Sequence, residues 1–149
     1  MTHEILLDEE ASLVERSGCL TVDLAESAPD SISLGLALLS EGLVDDLTLR
    51  PPRSTWAVRL RKLAELRDMR VRRYGNQRIE LVIGQVELER WLAFFLKYFR
   101  DGCAEVDHLD ASGAWDNGGS LDFTLKVSIF APPVSEDEAR KRLGMKSRG

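Results

Sequence analysis

The sequence predicts an α+β fold: a mainly antiparallel sheet built from hairpins, with helices packed mostly on one of its faces. Three observations support this prediction. Residues 121–129 alternate strictly between apolar and polar side chains, residues 85–100 carry a broad apolar stripe at helical spacing, and Gly75-Asn76 joins two strand-like runs. Strands that alternate this regularly have one buried and one solvated face, as the strands of antiparallel sheets do.

The N-terminal third predicts two helices and two strands. Residues 11–16 are typical of a short helix, and residues 20–25 alternate as a strand does. Residues 29–40 begin with Pro-Asp-Ser, a helix start, and are then apolar on nearly every side, which predicts a buried helix. Residues 47–50 predict a second strand, which the following diproline ends.

The middle of the chain predicts a helix followed by a hairpin. Ser54 is a good N-cap for a helix that continues to about Asp68, with an apolar stripe of Trp56, Leu60, Leu63 and Leu66. Residues 70–74 and 78–83 predict the two strands of the hairpin. A three-residue loop with a bulge fits best, because it keeps the apolar side chains of both strands on one face.

The C-terminal third predicts a long helix, a second hairpin and a last short helix. Residues 85–100 are the strongest helix, because they carry a continuous stripe of Leu88, Trp91, Leu92, Phe95, Leu96 and Phe99. Residues 105–110 and 121–130 are the arms of the hairpin. A capping box in residues 135–138 predicts the last helix.

Length and composition are those of one folded domain. The chain has 149 residues, of which 44% are hydrophobic and 30% charged. We therefore expect one domain over residues 1–149, with frayed ends at 1–4 and 145–149. The first residues are acidic where a signal peptide needs a basic head, no apolar run reaches the roughly 18 residues of a membrane span, and the two cysteines form no CxxC pair. These features predict a cytoplasmic protein without a membrane span.

Charged residues are sorted along the chain. Residues 1–49 contain 11 acidic side chains and one basic side chain, residues 50–78 contain 10 basic and 2 acidic, and residues 79–149 contain 12 acidic and 9 basic. Such sorting is typical of a polyanion site, of a protein interface, or of segments that neutralise each other. We favour neutralisation within the domain, because the acidic first segment would otherwise repel a polyanion.

The sequence contains few of the motifs that indicate a catalytic activity. There is no glycine-rich phosphate loop and no GxSxG elbow, and His3-Glu4 lacks the second histidine of HExxH. One constellation remains, formed by Asp107, His108 and Asp110. His108 and Asp110 share a strand face, where they could bind a metal or act as an acid–base pair. A solvated face that holds the imidazole by hydrogen bonds explains them better, so we expect no metal and no cofactor.

The basic segment is a candidate nucleic-acid site. Its arginines could contact phosphates, and Arg59, Arg61, Arg70 and Arg72 would control the salt dependence of binding. Tyr74 is the one aromatic residue among them that could stack on a base. Common single-strand readers carry several aromatics on their basic strands, so this site is the second hypothesis.

Two aromatic residues occupy positions that the sequence predicts to be wet. Trp115 lies near the tip of the loop in residues 113–119, and Phe94 lies on the polar side of its helix. The alternative is that Trp115 folds back onto an edge of the sheet and that another helix covers Phe94. Tryptophan is enriched in the hot spots of protein interfaces. These two residues, together with the hairpin carboxylates, predict a partner-binding surface of Trp115, Asp116, Asp107, Asp110 and Phe94.

The leading hypothesis is a non-enzymatic, cytoplasmic protein-binding module. A bacterial immunity- or antitoxin-type inhibitor is its concrete form, in which the acidic hairpin presents carboxylates where the phosphates of a nucleic-acid substrate would bind. The alternatives are a nucleic-acid-binding protein that uses residues 50–78 and a metal-binding or acid–base enzyme centred on His108. A homodimer is compatible with each hypothesis, because acidic and basic regions of one chain can meet across a two-fold axis.

Overall fold

Nine strands and two helices make up the described part of the chain. The computed structural model describes residues 1–25, 27, 29–101 and 108–127. The helices are α1 (Pro29–Ser40) and α2 (Gln85–Asp101). The strands are β1 (Thr2–Leu6), β2 (Ser12–Arg16), β3 (Cys19–Asp23), β4 (Asp46–Arg50), β5 (Ala57–Lys62), β6 (Met69–Gly75), β7 (Arg78–Ile83), β8 (His108–Trp115) and β9 (Ser120–Lys126).

The nine described strands form one mixed sheet in the order β1-β4-β5-β7-β6-β8-β9-β3-β2. Four neighbouring pairs are antiparallel, namely β2–β3, β4–β5, β6–β7 and β8–β9. Four others are parallel, namely β1–β4, β5–β7, β6–β8 and β3–β9. The prediction of a mainly antiparallel sheet built from hairpins is therefore wrong.

The parallel pairs escaped prediction because they join strands that are not consecutive. Each antiparallel pair joins successive strands, whereas each parallel pair joins strands with at least one element between them. Turn-forming residues between two strands indicate a hairpin. The alternation of apolar and polar residues within a strand does not indicate which other hairpin lies beside it in the sheet. Residues 2–4, for which the sequence predicts fraying, pair with β4 in this way.

Two of the predicted helices are strands. Residues 12–16 form β2, and β5 occupies residues 57–62 of the segment predicted as a helix over 54–68. Trp56 and Leu60 are both buried, and a spacing of four places side chains on one side of a strand as well as of a helix. Val58 is buried with them, so the apolar period in this segment is two.

The other predicted elements lie near their expected positions. They are the strands over 20–25, 47–50, 70–74 and 78–83, the two helices α1 and α2, and the second arm of the C-terminal hairpin. The expected bulge occurs in β6 between Arg73 and Gly75, but the expected three-residue loop is wrong, because only Asn76 and Gln77 lie between β6 and β7. Residues 102–107 and 128–149, which include the last predicted helix, lie outside the described residues.

Helix α1 contacts β1, β4 and β5, and a glycine at the contact permits a close approach. A Cβ on Gly35 would lie 2.7 Å from Ile5 and 2.8 Å from Leu47, so glycine permits this approach. Gly42 ends the helix with φ +73°. Its N–H donates to the Leu39 carbonyl, and the N–H of Leu43 donates to the Leu38 carbonyl, which together are a Schellman cap.

Helix α2 covers the other part of the same sheet face. Leu88, Trp91 and Phe95 are fully buried, and the Trp91 ring stacks on Phe123 of β9 with centroids 5.5 Å apart. The two helices also contact each other. Within the described residues, neither helix has the length and apolar character needed to cross a membrane.

Candidate binding surface

Strand alternation directs charged side chains to the sheet face that lies opposite the helices, which we call the outer face. In β5, Val58 and Leu60 are buried in the core, and Arg59 and Arg61 point the other way. The register pairs Arg59 with Glu80 of β7 and Arg61 with Val82. The outer face is therefore continuous across neighbouring strands.

Six arginines of β4, β5, β6 and β7 lie on this outer face, and we call them the arginine face: Arg50, Arg59, Arg61, Arg70, Arg72 and Arg78. These four strands are adjacent in the sheet. The described carboxylates on the same side of β1, β4 and β7 are Glu4, Asp46 and Glu80. The arginine face consequently carries an excess of three positive charges over the carboxylates among it.

Glu80 holds the centre of the arginine face. Its carboxylate Oε2 lies 2.6 Å from a guanidinium nitrogen of Arg59, and Oε1 lies 2.9 Å from Arg72 and 3.7 Å from Arg61. The residue is only 2% exposed, because these guanidinium groups cover it. Burial acts to raise the pKa of Glu80, but the hydrogen bond from Arg59 and the charges of Arg59, Arg72 and Arg61 outweigh it and hold the pKa below 4.5, its ordinary value.

The predicted neutralisation by the N-terminal third accounts for part of the basic segment. Glu4 pairs with Arg50, Glu9 with Arg53 and Glu15 with Arg73. The arginines around Glu80 find their counter-ion on β7 instead. Within the described ranges, no carboxylate lies within ion-pair distance of Arg70 or Arg78, so the basic segment is neutralised incompletely.

The β8–β9 hairpin extends the outer face on the side of β6. Asp110 lies 3.4 Å from the His108 ring and accepts a 2.8 Å hydrogen bond from Thr124, and its side chain is 68% exposed. Asp122 of β9 is exposed on the same side. The His108–Asp110 pair thus lies on an open strand face, and the described residues contain no group of three or more metal-ligating side chains.

The predicted aromatic contact residues point inward. Trp115 is the last residue of β8, not the tip of a loop, and it packs against the core beneath the Arg73 guanidinium, 4.6 Å from the ring centroid. Phe94 is partly buried and contacts Phe95 edge-on. Asp116 is exposed in the turn after β8. Asp107 lies outside the described residues.

Sequence reasoning misses Glu80 and the alignment of the arginines. The signal was present, because Arg59 and Arg61, Arg70 and Arg72, and Arg78 and Glu80 are each two residues apart. A spacing of two places both side chains on one face of a strand. Assigning residues 54–68 to a helix hid this spacing in β5.

No family model matches the chain, and a search of the curated proteins finds no match to it.

Proposed function

We propose that this chain is a non-catalytic, cytoplasmic protein-binding module that uses the outer face of its sheet. The observation that carries the proposal is the arginine face, in which six guanidinium groups lie on four adjacent strands with an excess of three positive charges. Arginine is favoured at interfaces because its planar group binds carboxylates in a fixed geometry. A partner with an acidic surface complements this face.

Pre-ordering of the arginines supports binding to a defined partner. The Glu80 carboxylate fixes three of them, and Arg59 also lies 4.1 Å above the Tyr74 ring. Side chains that are already ordered lose less conformational entropy on association. The surface is therefore suited to a specific contact and not merely to diffuse attraction.

A protein partner suits this face better than nucleic acid does. Glu4, Asp46 and Glu80 interrupt the arginines, and a continuous phosphate backbone would meet these carboxylates. Tyr74, the aromatic residue that could stack on a base, already has its ring beneath Arg59. Alternating charges instead provide the register and partner discrimination that protein interfaces use.

The immunity- or antitoxin-type inhibitor is the more specific form of this proposal. Asp110 and Asp122, exposed on β8 and β9, supply the acidic part of its contact surface. A partner would then have an acidic patch opposite the arginine face and basic groups opposite the hairpin. The inward packing of Trp115 and Phe94 moves the expected contact from these aromatics to the charged residues.

The test compares charge reversals on and off the arginine face. Immobilised protein captures partners from a lysate of the source cells, and the affinity of a purified partner is then measured for each variant. The Arg61→Glu/Arg70→Glu double variant should weaken binding by about tenfold or more, because two attractive contacts become repulsive. Arg67→Glu makes the same type of change at an exposed loop position between β5 and β6 and should retain affinity.

Three results would contradict the proposal. The first is that the wild-type protein retains no partner that the double variant loses. The second is that Arg67→Glu weakens binding as strongly as the double variant, which would indicate non-specific charge. The third is tight binding of a single-stranded oligonucleotide with an affinity that falls steeply as salt rises, which would favour the nucleic-acid alternative.

A further inference from the structure

A cleft lies at one end of the arginine face, beside the Glu80 cluster, with which it shares Arg59. It has a volume of about 470 Å³, and its lining comes from the segment before β5 and from β1, β4, β5, β6 and β7. Arg78 of β7 lies in this lining, so we call it the Arg78 cleft. Its volume falls within the range of clefts that bind small molecules.

Positive charge dominates the Arg78 cleft. Arg50, Arg59 and Arg78 line it, together with one carboxylate, Glu4, which is already 2.8 Å from Arg50. Arg59 also pairs with Glu80, which lies outside the lining, at 2.6 Å. Arg78 contributes most directly, because no carboxylate of the described chain lies within ion-pair distance of its guanidinium group.

Hydroxyl groups surround the same space. Thr48, Ser54, Thr55 and Tyr74 line the cleft. The Thr55 hydroxyl donates to Gln77 at 2.8 Å. In the part of the chain that the structure describes, the hydroxyls of Thr48, Ser54 and Tyr74 make no hydrogen bond, so they can serve an oxygen-rich ligand.

We propose that the Arg78 cleft binds the phosphate group of a small phosphate monoester. A phosphate monoester carries nearly two negative charges at neutral pH and three acceptor oxygens, which suit the guanidinium groups of the cleft and its three unused hydroxyls. Arginine binds phosphate through paired N–H donors. The volume exceeds that of a phosphate group, so the organic part of the ligand lies beside Tyr74 and Trp56, which line the same cleft.

The Arg78 cleft shares Arg50, Arg59 and Arg78 with the arginine face, but the two proposals are tested at different residues. The cleft uses Arg78, whereas the partner test uses Arg61 and Arg70, which do not line the cleft. Loss of partner binding in the Arg61→Glu/Arg70→Glu variant leaves the cleft intact. Failure of either proposal can therefore be recognised separately.

The experiment titrates the full chain with defined anions by calorimetry and by chemical-shift mapping. The probes are inorganic phosphate, ribose 5-phosphate and adenosine monophosphate, with ribose and adenosine as uncharged controls and sodium chloride to match ionic strength. We expect saturable binding of the phosphorylated probes, with shifts at Arg78, Tyr74 and Ser54, and no saturable binding of ribose or adenosine.

Two glutamine variants with the same change of charge separate a site from a diffuse attraction. Arg78→Gln should weaken binding by about tenfold or more, the usual effect of losing a hydrogen bond to a charged group. Arg70→Gln removes the same charge from the arginine face outside the cleft and should change affinity less than about twofold. Tyr74→Phe, which deletes one hydroxyl, should give an intermediate loss. Arg78 is exposed, so a folded variant is expected and circular dichroism verifies it.

The proposal is overturned if the wild-type chain shows no saturable binding of any phosphorylated probe. Equal losses in Arg78→Gln and Arg70→Gln would also overturn it, because the attraction would then belong to the whole face. Binding of adenosine as tightly as its monophosphate would show that the phosphate group is not what the cleft recognises.

Discussion

Replacing Glu80 with glutamine removes the anion at the centre of the arginine face while keeping the shape of the side chain. The carboxylate accepts hydrogen bonds from Arg59 at 2.8 Å and from Arg72 at 2.9 Å, and it lies 3.7 Å from Arg61. Glutamine retains one acceptor oxygen and adds an amide that faces guanidinium donors. The three arginines then repel one another without a counter-ion.

The expected loss of stability follows from these contacts. A hydrogen bond to a charged group contributes about 1.5–3 kcal/mol, and two such bonds are weakened. The arginine side chains are 29% to 53% exposed, so water compensates part of the loss. We expect the free energy of unfolding to fall by about 2–3 kcal/mol, which for a chain of this length lowers the Tm by roughly 4–12 °C.

The assay is urea and thermal unfolding followed by circular dichroism, for wild type and Glu80→Gln, at several pH values. Because the folded-state pKa of Glu80 lies below 4.5, its stabilisation is present in full above that ordinary value and is lost as the pH falls through the folded-state pKa. The difference between the two proteins should therefore be constant near neutral pH and shrink in acid. Glu65→Gln, at an exposed loop position, should change stability by less than about 0.5 kcal/mol.

Equal stability of wild type and Glu80→Gln at neutral pH would refute this reasoning, because the carboxylate would then contribute no more than a neutral amide. A difference that persists unchanged into strong acid would refute it as well, since protonation must remove the same charge that the substitution removes. A comparable loss in Glu65→Gln would attribute the effect to net charge instead of to the cluster.

Two further predictions concern the core. Trp115→Ala should lower the free energy of unfolding by about 2–3 kcal/mol, because the ring packs against the core beneath Arg73. This loss is somewhat smaller than for a fully buried tryptophan. An unchanged free energy of unfolding in urea would indicate that the Trp115 side chain is exposed. Gly84→Ala should cost about 2 kcal/mol or more, because its Cβ would lie 1.9 Å from the Leu66 carbonyl oxygen. Gly75→Ala, whose Cβ would meet nothing closer than 3.5 Å, is the matched control, and similar losses in both would rule out the steric explanation.

The elements that the sequence predicts well are those whose pattern is complete within one segment. Helix α2 carries its whole apolar stripe in 17 residues, and β9 alternates along its full length. β5 is different, because its apolar residues fit two periods at once. Val58 decides between them, since it belongs to the buried set of a strand and falls off the stripe of the predicted helix.

The order of strands depends on contacts between distant segments, and a single sequence does not encode it locally. β3 lies beside β9, although about a hundred residues separate them, with Leu20 opposite Phe123. Any buried alternating strand would fit either position equally well by pattern alone. The arginine face could not be predicted for the same reason, because it forms only when β5, β7 and β6 lie side by side in the sheet.

The sorted charges of the sequence become sorted charges on the sheet because the strands of the basic segment are neighbours. Full neutralisation would require a carboxylate near each arginine, but β1 supplies Glu4 to Arg50 at the margin while Glu80 serves three arginines at the centre. Arg70 remains without a carboxylate at ion-pair distance among the described residues. Since a shared counter-ion orders several arginines yet cancels only one charge, the same contact that stabilises the fold leaves the outer face positive, as the proposed binding of an acidic partner requires.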